Sequence, residues 1–184
     1  MALKATIFKV ELSIADMDRN HFADYSLTVA RHPSENDERM MVRLLAFMRY
    51  ADELLAFGKG LSTDEEPDLW RKDLTGSIDL WIVVGQLDER WLRKASGRAE
   101  RVAAFTYGGR VADVWWEQNR AVLEKLPNLT VYRIAPESTQ ALADLANRSM
   151  NLQCTIQDGE MLVTGEGEAV TIEPLLVFGG KQGR

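Results

Sequence analysis

Residues 77–84 read Ser-Ile-Asp-Leu-Trp-Ile-Val-Val and are apolar on both faces apart from one carboxylate, Asp79. A strand of that kind needs cover above and below, so it predicts the centre of a sheet with helices packed against it. The chain that follows agrees. Residues 88–99 predict a helix, 102–107 a second apolar strand, 111–125 a helix, 129–134 a strand and 137–147 a helix. Strands and helices in alternation imply α/β packing with parallel pairing.

The two ends of the chain carry a different period. Phe8, Val10, Leu12 and Ile14 alternate with Lys9, Glu11 and Ser13, and residues 21–31 alternate through Tyr25, Leu27 and Val29, which predicts a half-buried hairpin. A helix follows Pro33, with Ser34 and Asp37 spaced as in a capping box. Glu35, Asp37 and Glu38 crowd its first turn, where the helix dipole favours anions. Its apolar stripe runs through Met41, Leu44, Met48, Ala51 and Leu55 to about Phe57, before Gly58 and Gly60. Residues 59–76 are polar loop, with Leu69-Trp70 opening a short strand. Residues 150–157, 160–164 and 169–177 predict three strands, the first two joined at Asp158-Gly159, and the tail from Gly179 to Arg184 is expected to fray. A lone hairpin is marginally stable, so the strands of the two ends are expected to pair with each other. The fold class expected is α/β: a mixed sheet with flanking helices, completed by antiparallel strands from both termini, in a single domain over residues 1–184.

Several chemistries are excluded or left without support. Cys154 is the one cysteine, so no intrachain disulfide forms, and with His21 and His32 it cannot build a closed zinc site. There is no phosphate-loop, dinucleotide or nucleophile-elbow motif. No apolar run approaches the ~18 residues of a membrane span, and Met1-Ala2-Leu3-Lys4 lacks a signal-peptide core, so a cytoplasmic protein with no membrane partner is expected. The net charge of -6 argues against nucleic acid coating the whole surface. Residues 90–110 nevertheless hold six basic groups and one acid, a local +5 that leaves -11 for the remainder. On a helix, Arg90, Lys94, Arg98 and Arg101 share one face, with Leu92, Ala95, Ala99 and Val102 opposite. That stripe is either a solvated face or a phosphate contact, with Arg90, Arg98 and Arg101 as the contacting residues.

Asp79 carries the most information. A carboxylate in an apolar strand requires a cation, a metal ion or firm hydrogen-bond donors. It is preceded by Pro67-Asp68, and the pair has the outline of the nuclease signature P-D…(D/E)-x-K. In that chemistry two carboxylates on adjacent strands, here Asp68 and Asp79, hold Mg²⁺ or Mn²⁺, and the metal polarises the scissile phosphate and activates water. A lysine steadies the developing charge. The lysine slot here is Trp81. Lys94, on the following helix, is the candidate substitute, and Gln86 a weaker one. Opposed to all this is a plain structural reading, in which Asp79 pairs with an arginine or sits at a strand end near water. The tryptophans Trp70, Trp81, Trp91, Trp115 and Trp116 are either stacking platforms for bases or core.

The blocks His32-Pro33-Ser34-Glu35, Glu38-Arg39-Met40-Met41, Gly76-Ser77-Ile78-Asp79-Leu80-Trp81-Ile82, Asp88-Glu89, Arg93-Lys94-Ala95, Trp115-Trp116 and Thr155-Ile156-Gln157-Asp158-Gly159 resemble the YaeQ family from end to end. The resemblance implies a bacterial protein with a variant of the PD-(D/E)XK nuclease fold and a nuclease-like core over about residues 33–135. It implies Glu38 as the helix acid, Asp68 and Asp79 as the motif acids and Lys94 as the migrated lysine. Two functions are carried forward. The first is a Mg²⁺- or Mn²⁺-dependent nuclease or phosphodiesterase. The second is an inactive nuclease-fold protein that binds nucleic acid or a regulatory protein partner.

Overall fold

The computed structural model describes residues 3–63 and 65–180. Asp64 of the polar loop and residues 181–184, where fraying is expected, lie outside the described residues. In chain order the strands are β1 (Thr6–Asp16), β2 (His21–Arg31), β3 (Leu55–Phe57), β4 (Leu69–Lys72), β5 (Ile78–Val84), β6 (Ala99–Thr106), β7 (Leu129–Arg133), β8 (Ser149–Gln157), β9 (Glu160–Gly165), β10 (Glu168–Ile172) and β11 (Leu175–Phe178). The helices are α1 (Asp37–Tyr50), α2 (Glu89–Arg98), α3 (Arg110–Leu123) and α4 (Pro136–Asp144). The chain is mixed α/β, but its strands form two mixed sheets rather than the single one expected from sequence. They fall in two compact units: residues up to Ala51 with Glu137–Glu173, and Asp52–Pro136 with the chain from Pro174 on.

The first unit holds the sheet β10-β9-β8-β1-β2. The ends of the chain pair as expected, through a parallel ladder in which Leu12 faces Leu152 and Ile14 faces Cys154. Phe8, Val10, Leu12 and Ile14 are buried while Lys9, Glu11 and Ser13 face water, so the period-two pattern selects the core face. Helix α1 departs from its expected form in three ways. Its cap is Asn36, whose side chain accepts from the Arg39 N–H at 2.9 Å, whereas Ser34 is turned to the His32 ring. It is buried on every face from Met40 to Met48, not along one stripe. It also ends at Tyr50, because Asp52 accepts from the Leu54 N–H and starts a turn, which frees Leu55–Phe57 to become β3.

The second unit holds the sheet β11-β7-β6-β5-β4-β3. Strand β5 lies inside it, parallel to β6 and antiparallel to β4, as its apolar run requires. Strands β5, β6 and β7 are parallel, with α2 and α3 as crossovers. Trp81, Val83, Leu92, Ala95, Val102, Ala104, Trp115 and Leu123 form the core between sheet and helices. The expected strand over residues 169–177 is two strands in different sheets, β10 and β11. Pro174 lacks an N–H for a ladder and divides them.

Candidate functional site

The second unit contains both motif carboxylates, and the antiparallel β4–β5 pair sets them apart. Asp68 immediately precedes β4 and is buried. Its N–H donates to the Ile82 carbonyl at 3.1 Å, and its Oδ2 accepts from the Val84 N–H at 2.8 Å. Gly60 lies close enough that a Cβ there would sit 2.7 Å from Asp68 Oδ1, at a backbone φ of +47°. Asp68 is thus moored at the carboxyl end of β5.

Asp79 stands at the other end of β5, as its second residue. On β4, Arg71 pairs with Leu80 and Lys72 with Ile78, so Asp79 is the extra residue of a bulge. That re-aims its carboxylate between two guanidinium groups. Arg71 Nε donates to Asp79 Oδ2 at 2.5 Å, the Arg71 Nη2 also pairs with it, and Arg101 Nη2 approaches Oδ1 at 3.4 Å. The charge that the apolar strand made costly is offset by arginine, and 25% of the side chain still reaches solvent. From Asp79 to Val84 is five residues of strand, roughly 16 Å at ~3.3 Å per residue. The structure therefore does not bring Asp68 and Asp79 together. The β5 positions beside Asp68 are Ile82, Val83 and Val84, followed by Gly85, and none of these has an oxygen on its side chain.

Glu38, the expected helix acid, belongs to the first unit, where Thr139 Oγ1 donates to it at 2.6 Å. Among the described residues no group of three or more His, Cys, Asp or Glu is placed to hold a metal ion. Divalent Mg²⁺ or Mn²⁺ wants several oxygens in near-octahedral array, and the described residues gather no such set at the Asp68 end of β5. Cys154 is buried beside β1, and burial pushes its thiol up to about 12, far from a nucleophile's range.

The basic stripe is shorter than expected and divides into two kinds of cation. Helix α2 ends at Arg98, so Arg101 lies on β6 and belongs to the Asp79 bulge. Arg90 and Arg93 turn to their own helix start. Arg90 meets Asp88, the helix cap, at 3.2 Å, and Arg93 meets Glu89 at 2.7 Å. The Arg90 guanidinium and N–H hold the Asp88 carboxyl below its ordinary range. Among the described residues, Lys94 and Arg98 share the acid Glu65, at 3.7 Å from Lys94 Nζ and 3.5 Å from Arg98 Nη2. Aromatic rings lie beside both, with Lys94 5.2 Å from the centroid of the exposed Trp91 and Arg98 6.0 Å from that of Trp81. Trp81 packs edge-on to Trp70, which carries Lys72 at 3.8 Å over its ring. Tryptophan in the lysine slot of the motif is therefore the floor of a cationic, aromatic face.

Sequence reasoning missed Arg71 and Glu65. Arg71 had a signal: the Asp73-Leu74-Thr75-Gly76 turn folds 69–72 back on 78–82, which brings a cation across from Asp79. Glu65 had only its place in an acidic run.

Comparison with known proteins decides the kinship. A family model described as "YaeQ protein" matches residues 1–174. The chain belongs to the YaeQ family. It is 51% identical over 159 residues to "Uncharacterized protein YaeQ" of Escherichia coli (strain K12), covering 86% of this chain and 88% of that one. The Salmonella typhi YaeQ protein is 49% identical over the same length, with the same shares covered. The crystal structure of the YaeQ protein from Xanthomonas axonopodis pv. citri superposes with a TM-score of 0.92 at 45% identity, over 96% of this chain and 99% of that one. That from Pseudomonas syringae gives 0.92 at 35% identity, over 96% and 97%. The two-sheet fold is therefore that of YaeQ proteins. No described helix is long and apolar enough to cross a membrane.

Proposed function

We propose that this YaeQ protein binds nucleic acid through the exposed face of α2 and does not cleave it. The observation that carries this reading is the separation of the two motif carboxylates to opposite ends of β5, with Asp79 committed to Arg71 and Arg101. A two-carboxylate metal site needs both acids on one ion. On this reading Glu38 and Asp68 have structural roles, Lys94 is a phosphate contact rather than a catalytic lysine, and no divalent ion is required. The binding face is the group of Trp91, Lys94 and Arg98 on α2, with Lys72 and the half-buried Trp70 on the neighbouring strand β4. Cations interleaved with indole rings suit a single strand, whose phosphates meet the charges while its bases stack.

The test uses plasmid DNA and a folded RNA with Mg²⁺ or Mn²⁺, comparing the wild type with Asp68→Asn and Asp79→Asn. The expected result is no cleavage above that of the two variants, and oligonucleotide binding that Lys94→Ala with Arg98→Ala weakens. Metal-dependent cleavage present in the wild type and lost in both aspartate variants would restore the nuclease reading.

A further inference from the structure

The Glu65 carboxylate touches both Lys94 and Arg98. Lys94 and Arg98 are one helical turn apart and therefore adjacent on the surface of α2. Glu65 spans them, one oxygen to each: Oε1 to Lys94 and Oε2 to Arg98. An anion with oxygens about as far apart as those of a phosphate is thus already cradled by the two cations. The segment that supplies it is tied at its base. Gly58 N–H donates to the Asp68 carbonyl at 3.0 Å and Gly60 N–H to the Pro67 carbonyl at 3.1 Å, and the Glu66 side chain accepts from the Lys59 N–H at 2.9 Å. Glu65 itself is well exposed, at 68%, and both of its ion pairs are long. Exposed pairs of that kind are worth little and exchange readily.

We infer that Glu65 is an internal phosphate surrogate: it occupies the Lys94–Arg98 cradle in the free protein and is displaced when a single-stranded nucleic acid places a phosphate there. The inference rests on the binding reading above and adds to it a built-in competitor. It has a consequence for salt dependence. The displaced carboxylate keeps its charge beside the strand, so the net positive charge that the phosphates meet is lower by about one and fewer of the cations condensed on the nucleic acid are released. With the carboxylate removed, the two cations act on the phosphates undiminished, more condensed cations are released and the salt dependence steepens.

The experiment measures fluorescence anisotropy of a labelled oligothymidylate against wild type, Glu65→Gln, Lys94→Ala/Arg98→Ala and the triple variant, across a salt series starting near ~50 mM. Glu65→Gln is expected to bind about three- to tenfold tighter than wild type, the scale set by exchange of exposed ion pairs, with a salt slope steeper by about one to two units. In the Lys94→Ala/Arg98→Ala background, Glu65→Gln is expected to change nothing. If the wild type binds, the double variant weakens it and Glu65→Gln leaves affinity and slope unchanged, the surrogate is overturned and the binding reading stands. If Glu65→Gln tightens binding equally with and without Lys94 and Arg98, it acts through general charge and the surrogate is again overturned. If neither wild type nor Glu65→Gln binds at low salt, both inferences fall. Circular dichroism melting on the same variants checks that each is folded, and Glu65→Asp, which keeps the charge, is expected to behave as wild type.

Discussion

Two helices of this protein carry the same arrangement, one carboxylate shared by two cations spaced four residues apart, in opposite environments. At α1, Glu35 accepts from Arg39 at 2.6 Å and from Arg43 Nε at 3.0 Å, with its side chain only 1% exposed. Arg43 also donates to the Ala30 carbonyl at 3.0 Å, so the cluster ties the helix start to β2. At α2, Glu65 meets Lys94 and Arg98 at 3.7 and 3.5 Å in the open. Burial decides what each can do. With its carboxylate removed from water, the first cluster is held in place by its surroundings and serves as structure. Left in water, the ions of the second trade partners at small cost, and the cluster is available for a ligand.

Breaking the buried cluster gives the largest effect. Glu35→Gln is expected to destabilise by about 3 kcal/mol, because it neutralises a buried carboxylate that two guanidinium groups share. Urea unfolding would show it as a lower midpoint, and an unchanged midpoint would mean that the cluster contributes nothing. Asp79→Asn tests the intermediate case. Its carboxylate lies between Arg71 and Arg101 but is partly open to solvent, so a loss of about 1 kcal/mol is expected. A stabilised Asp79→Asn would instead mean that Asp79 is strained for another purpose.

Acid sharpens the comparison further. The Gly159 N–H, and then that of Asp158, hold the exposed Asp18 carboxyl below its ordinary value, pinning the β8–β9 turn to the β1–β2 link. A lowered carboxyl stabilises the fold above its ordinary pKa, and that stability is lost as pH falls through the folded value. The advantage of wild type over Asp18→Ala in thermal melting is therefore expected at neutral pH and should shrink as pH falls below about 4, the ordinary carboxyl range. A difference independent of pH would remove the carboxylate as its cause. The smallest effect on stability belongs to Glu65→Gln, expected within about 0.5 kcal/mol of wild type by urea unfolding. A large loss there would place the two clusters in one class.

Local pattern in the sequence determined a good deal of this protein. Alternation along residues 6–16 selected the inner face of β1, because a side chain's direction on a strand follows from position alone. The two-faced apolar run at 78–84 placed β5 inside its sheet. The block resemblance to YaeQ proteins identified the family, since 51% identity leaves such blocks intact. Tertiary structure decided the rest. A spacing of ten residues between Asp68 and Asp79 suited a shared ion as well as it suited opposite ends of a hairpin, and the Asp73–Gly76 turn chose the second. The α2 stripe was legible as charge, but which cations were committed depended on Asp79, Asp88, Glu89 and Glu65. Two of these lie outside α2 and its cap, on β5 and in the 58–68 loop, and chain proximity does not encode where they come to rest. Charge pairing across the fold depends on distance and burial, and both exist only once the sheets have formed.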